Sequence, residues 1–467
     1  MQTGDKTMKM TLAAIATALQ IPVATPEWEQ IIITDVAFDT RQLTAGSLFV
    51  PLTGARDGHD FIDAAIENGA QATLWQRGHA GVPTTLPVLE VADPLEAMQT
   101  IAKAYLAQVK PQVVAVTGSN GKTTTKDLIA AVLATKFKVT KTPENFNNEL
   151  GVPLTIFGMD DGTEVLVVEM GMDRFGQLEQ LSQLVHPDFA VITMIGEAHI
   201  EFFGTRDKIA DAKMEIVAGM PATGTLVING DEPLLTSRAA TLSQTVKQFG
   251  RQATNDVYAT QVTVQPTQLS FTTNTWPELT MTVPLVGEYN VSNALAAVTI
   301  GQAFQISGEQ IAHGLATSAM TANRSEWLTA PNGTRILSDV YNSNPTAARE
   351  VLQTVSQLPT AGNRIAVLGD MLELGTASAA LHASLATAID PIKFHAIYLV
   401  GDEMRALQAQ LQTNGYPMER VHWYAKDDLA SLTQELQSVL QADDMVVLKA
   451  SHGIHLETVL ANLTTPE

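Results

Sequence analysis

None of the 467 residues is a cysteine. That excludes disulfides, zinc–thiolate centres and thiol catalysis, and it suits a reducing compartment such as the cytoplasm. Positive charge is also scarce, with 28 Lys and Arg against 49 Asp and Glu, a net charge of −21. Such a surface repels a phosphate backbone, so nucleic acid is not an expected partner, whereas a small anion in a locally basic pocket is still allowed. No apolar run is long enough to span a bilayer, and no membrane insertion is expected. Lys6 and Lys9 ahead of TLAAIATAL imitate a signal peptide, yet Met8, Leu12, Ile15 and Leu19 fall on one helical stripe and predict a small packed helix. Internal repeats and low-complexity segments are absent too.

What is present points to a large globular α/β protein. Hydrophobic residues make up 45% and charged residues 16%, and the length calls for about three domains. The stretch 113–126, VVAVTGSNGKTTTK, organises the chain. A short apolar run, Val113 to Val116, predicts a buried parallel strand. Leu128, Ile129, Val132 and Leu133 then recur at helical spacing. Between them lie Gly118, Ser119, Asn120, Gly121, Lys122, Thr123 and Thr124. Strand, glycine loop and helix start are the setting in which backbone N–H groups cradle phosphates. Lys122 would reach the β- and γ-phosphates, and the Thr123 hydroxyl would sit on Mg²⁺. Val116 stands where the usual motif has its first glycine, so the match is to a shorter form, G-x-x-G-K-T-T.

Before this motif, residues 1–108 show a mixed pattern, with a strand expected at 48–52 and a helix at 61–68. Arg56, Asp57, His59 and Asp60 lie on the loop between them, a pattern that residue types alone also assign to a solvated turn. From 109 to 322 strands and helices alternate. Asn145, Asn147 and Asn148 could cap a helix or meet a ligand. Glu169 ends the apolar strand 165–169, where a carboxylate needs a partner or a metal. A strand at 190–195 brings His199 to a similar edge, and 209–216, with Lys213, reads as helical. From 323 to 467 a second doubly wound unit follows, with strands at 335–340, 364–369, 395–400, 421–424 and 445–449. Polar clusters after those strands, at 339–345, 369–375 and 449–453, share one sheet edge. With the site split over two α/β units, a hinge is expected near 320–324.

TGSNGKTTTKDL, NFNNELGVP, VVEMGM, GEAHIEFFG, DAKMEI, VGEYNVSNALAA, DVYNSNP, VLGDMLELG and LKASHG follow in order over nearly the whole chain. Together they closely resemble the Mur ligases, ATP-dependent amide-forming enzymes of peptidoglycan synthesis. DVYNSNP and MLELG look like the branch that adds D-alanyl-D-alanine to UDP-N-acetylmuramoyl-tripeptide. The resemblance implies an N-terminal UDP-binding domain, a central ATPase domain and a C-terminal Rossmann-like domain that receives the dipeptide. It implies an acyl phosphate on the peptide carboxylate, attacked by the incoming amine, in a cytoplasmic enzyme acting as a monomer. It places ATP on the glycine loop and on Asn290, Asn293, Arg324 and Asp339. Two magnesium ions fall to Thr123 and Glu169 and to His199 and Lys213, with Lys213 carbamylated. Lys122, His199 and Lys213 carry the catalytic roles. UDP-substrate contacts fall to Thr40, Arg41, Asp57, His59, Asn147 and Asn148, and the dipeptide side to Tyr341, Asn342, Asn344 and Lys449. His452 departs from the arginine many relatives carry. Folylpolyglutamate synthetase, which shares the short phosphate loop but lacks the first domain, and a non-catalytic nucleotide-binding protein are the alternatives.

Overall fold

The computed structural model describes residues 8–321 and 324–465. The boundary expected at 322/323 and the centre of the expected hinge lie outside the described residues. The chain forms two compact units: Met1–Thr117, Lys136–Ala190 and Glu215–Thr225 make the first, and Gly118–Thr135, Val191–Met214 and Leu226–Glu467 the second.

The first unit opens with the helix Leu12–Ala18, capped by the Thr11 hydroxyl. Met8, Leu12 and Ile15 are fully buried, as the helical stripe requires. A four-stranded parallel sheet follows in chain order: Asp35–Ala37, Ser47–Phe49, Ala70–Gln76 and Val88–Val91. The helix Ile62–Glu67 precedes the third strand and ends before Gly69, whose φ of +101° suits only glycine. A second parallel set places Val165–Glu169 between Gln112–Thr117 and Val139–Lys141. Its buried, β-branched runs are what a sheet covered on both faces selects.

In the second unit the helix Lys122–Leu133 carries the end of the glycine loop. The alternation expected here is broken. Thr245–Gly250 pairs in parallel with Val257–Val264, which continues antiparallel through Leu269–Thr273 to Met281–Val283. The period-2 run of Val, Thr and Tyr at 257–264, followed by the turn residues Pro266 and Thr267, produces that meander. The strand expected at 190–195 stops at Ile192. Beyond it the Thr193 hydroxyl donates to the Asn120 carbonyl (2.5 Å) and the Met194 carbonyl accepts the Ser119 N–H (2.9 Å), so this segment serves the glycine loop instead.

The C-terminal part of the same unit is a six-stranded sheet in the order Glu326–Thr329, Arg335–Asp339, Met445–Lys449, Arg364–Gly369, Ala396–Val400 and Val421–Tyr424. All neighbours are parallel except the first pair. Five of these strands match the expected positions; the antiparallel edge strand does not figure among them. Alternate residues enter opposite cores, Leu337, Ala366, Leu368 and Val447 on one face and Ile336, Val367, Val446 and Leu448 on the other.

Candidate functional site

The glycine loop is shaped by close approach. A Cβ on Gly118 would lie 1.8 Å from the Thr193 hydroxyl, and one on Gly121, at φ +79°, would lie 2.3 Å from the Asn293 amide oxygen. Only glycine fits both positions. Asn293 accepts from the Thr125 hydroxyl (3.2 Å) and donates to Asn290 (2.8 Å), which donates to the Val286 carbonyl (2.7 Å). These two asparagines, matched to the adenine side by sequence, therefore brace the loop from below. Lys122 folds its ammonium onto the Gly118 carbonyl (2.9 Å). Thr123 is buried, and its hydroxyl has no hydrogen-bond partner among the described residues.

Lys213 lies in the last turn of the helix Arg206–Met214 and is 2% exposed. Burial first, and then the neighbouring Lys122 cation, push its ammonium well below the ordinary lysine range. No carboxylate pairs with it among the described residues. Arg238 fixes the helix by bonding Asp207 and Asp211. His199 precedes the short helix Ile200–Phe203 and sits at φ +64°, with Nδ1 2.5 Å from the Glu373 carboxylate. Sequence reasoning did not single out Glu373. Its signal is membership of the polar cluster after the strand Arg364–Gly369.

Several C-terminal residues converge around Lys449. Asp339 and Lys449 face one another across adjacent strands, and the Lys449 ammonium donates to Asp339 (2.5 Å) and to the Asn342 carbonyl (2.9 Å). The Arg324 guanidinium lies over the Tyr341 ring, 3.9 Å from its centroid, and its buried Nε has no hydrogen-bond partner among the described residues. His452 stacks on the same ring at 5.9 Å. Asn344 is buried, and its amide exchanges two hydrogen bonds with Asn120 of the glycine loop (3.1 and 2.5 Å) while capping the helix Pro345–Gln357. Two residues on, Thr346 donates to Glu197 (2.7 Å).

In the first unit Glu169 is fully buried at its strand's C-terminal end. Asn147 donates to one carboxylate oxygen (2.8 Å), and the Thr142 hydroxyl accepts the Glu169 N–H (2.9 Å). Asn147 therefore orients the candidate metal carboxylate. Its neighbour Asn148 accepts from the Leu150 and Gly151 N–H groups just ahead of and at the start of the helix Gly151–Phe157, a structural role close to the capping that residue types favoured.

The residues read as UDP contacts lie apart along the first sheet. Arg41 is exposed and forked onto Asp39, while the Thr40 carbonyl accepts from Asn68. Asp57, His59 and His79 bring ligand atoms within 4.8 Å of one another. Asp57 accepts from the His59 N–H and ring and from the His79 ring (3.0, 2.7 and 3.0 Å), and the rings stack at 4.0 Å. His59 Nε2 accepts the Gln76 N–H, and His79 Nδ1 meets the Ala80 carbonyl. Every ring nitrogen is already used, so this cluster is a clasp on the loop rather than a metal centre.

The Mur ligase middle-domain model matches residues 116–301, the Mur ligase glutamate ligase domain model 323–452, and the Mur ligase family catalytic domain model 32–106. UDP-N-acetylmuramoyl-tripeptide–D-alanyl-D-alanine ligase of Bacillus subtilis (strain 168) is 40% identical over 458 residues, 98% of each chain. Among solved structures, MurF from Acinetobacter baumannii superposes with a TM-score of 0.85 at 27% identity, over 98% of this chain and 99% of that one. MurF ligase from Thermotoga maritima in complex with ADP does so at 0.79 and 27%, over 92% and 96%.

Proposed function

The chain belongs to the Mur ligase family, and from that premise we propose how its residues divide the work. It is an ATP-dependent, ADP-forming peptide ligase that joins UDP-N-acetylmuramoyl-tripeptide to D-alanyl-D-alanine in peptidoglycan precursor synthesis. A carboxylate is a poor electrophile; transfer of the γ-phosphate makes an acyl phosphate, which the dipeptide amine displaces to form the amide and release phosphate. The observation that carries the reading is the glycine loop with the Lys122 cation and the buried Lys213 amine close by, in a site that must gather several anions.

We assign 1–108 to the UDP-substrate, 109–322 to ATP and 323–467 to the incoming dipeptide. Thr123 and Glu169 would hold one magnesium ion, and His199 and a carbamylated Lys213 a second. The orphaned Thr123 hydroxyl and the buried, Asn147-oriented Glu169 carboxylate suit a hard cation. Magnesium, when bound, offsets the repulsion between phosphate and carboxylate oxygens. Carbamylation requires a neutral amine, which the depressed pKa of Lys213 supplies, and converts a repelling ammonium into an anionic oxygen ligand. Thr40 and Arg41 remain the first-domain contacts offered to the UDP-substrate. Asp57, His59, Asn147 and Asn148 support the loops around it. Asn290 and Asn293 hold the loop that carries ATP. Arg324, with its open Nε, and Asp339 complete the nucleotide side. Tyr341, Asn342, Asn344 and Lys449 line the dipeptide side.

Nucleotide-linked substrates support a cytoplasmic location, with the product feeding the wall that sets cell shape and accompanies division. No described helix is long and apolar enough to cross a membrane. Phosphate release from ATP should require both UDP-N-acetylmuramoyl-tripeptide and D-alanyl-D-alanine. Varying lysine against diaminopimelate at position three identifies the preferred peptide. Release driven by a folate and glutamate instead would favour the alternative ligase.

A further inference from the structure

Two hydrogen bonds join the segment 199–201 to Glu373. The ring Nδ1 meets the Glu373 carboxylate at 2.5 Å, and the Glu201 N–H donates to the Glu373 carbonyl at 3.0 Å. Both residues adopt left-handed backbone, φ +64° and +61°, an uncommon conformation for side chains of this size. Gly375, at φ +55°, lets the strand-end loop lie against Glu201, since a Cβ there would come within 3.2–3.3 Å of it. Two strained residues on separate loops, held by both backbone and side chain, mark a constrained geometry rather than a chance surface pair.

An ionised carboxylate only accepts hydrogen bonds, so Nδ1 carries the proton. In the neutral ring Nε2 then keeps its lone pair, and no protein group takes it among the described residues. Metal-ligating histidines are commonly set in this way, by a carboxylate on the other ring nitrogen. We propose that Glu373 is a positioning residue that locks His199 in the tautomer whose Nε2 can ligate a divalent metal. This rests on the reading of His199 as a metal ligand. Its consequence is that a ligand carried by the ATP-binding part is readied by a loop of the C-terminal sheet. Seating that loop and completing the metal site become one event.

The test uses full-length protein with ¹⁵N-labelled histidine, free of metal. The spectrum of the His199 ring, identified by its loss in His199→Ala, should show the proton on Nδ1. Glu373→Ala should populate both tautomers, and Glu373→Lys, which can only donate, should drive the proton to Nε2. Glu373 is 43% exposed on its side chain, so neither change disturbs a core. In parallel, Mn²⁺ binding in the presence of ADP should weaken about 10–100-fold in Glu373→Ala. An unchanged tautomer, or unchanged Mn²⁺ affinity, in Glu373→Ala overturns the proposal. If His199→Ala itself leaves Mn²⁺ affinity intact, the ligand reading fails. If His199→Ala weakens binding while Glu373→Ala does not, the positioning role alone fails.

Discussion

Two polar loops follow strands in this chain, one at 118–124 and one at 53–60, and they handle their polar atoms in opposite ways. In the first, the buried Thr123 hydroxyl has no protein partner among the described residues, and the Lys122 cation lies near the buried Lys213 amine outside the loop. In the second, Asp57, His59 and His79 satisfy one another and the backbone completely. Buried polar groups without partners are costly, and a bound cation would complete the Thr123 hydroxyl. Between these two loops the unpartnered Thr123 hydroxyl marks the chemistry better than the density of His and Asp, which is higher in the second loop.

The comparison breaks first at Lys122. Lys122→Ala should fold normally, because the Gly118 carbonyl that its ammonium holds belongs to the same short loop. It should slow ligation on the order of a hundredfold or more, the usual cost of losing one preorganised cationic donor. Steady-state phosphate release checks this, and near-normal turnover would remove the phosphate-loop assignment.

The second loop should respond in stability rather than in turnover. Hydrogen bonds to Ala80 and Asp57 raise the pKa of His79, and His59 holds Asp57 down at about 2. A raised histidine stabilises fully below its unfolded value, roughly 6.5, and loses that contribution as pH climbs through its higher folded value. The depressed Asp57 contributes above roughly pH 4 and fades as pH falls toward 2. His79→Ala should accordingly lower the first unit's melting midpoint by a few degrees at pH 6 and by less at pH 9. A loss that is equal at both values would show that packing of the stacked rings, not charge, makes the clasp.

How far the sequence discloses this follows the same division. The glycine loop was legible because its backbone path admits no Cβ at Gly118 or Gly121, so the constraint is written in the residues themselves. The C-terminal strands were legible because each is a buried apolar run bounded by polar turns. Asn147 was read as a cap or ligand contact, but its bond to Glu169 was not legible, since the two lie 22 positions apart and only the fold joins them. Asn344 read as a dipeptide contact, but its amide is also taken up by Asn120, 224 positions distant. The meander at 245–283 was hidden by reading length and position as alternation, although its Val and Thr spacing already indicated consecutive strands. Glu373 was legible only as a member of the polar cluster at 369–375; its contact with a histidine 174 positions away was not, since only the fold joins them.

The claim that the buried groups around the glycine loop serve ligands is tested most directly at Lys213, which is buried with a lowered pKa. Lys213→Ala removes the amine whose carbamate would ligate magnesium, and it should leave the enzyme nearly inactive. Excess acetate, supplying a carboxylate to the vacated position, should restore part of the phosphate release. Retention of most activity by Lys213→Ala, or full activity of intact protein whose Lys213 amine is shown to be unmodified in bicarbonate-rich buffer, would contradict it.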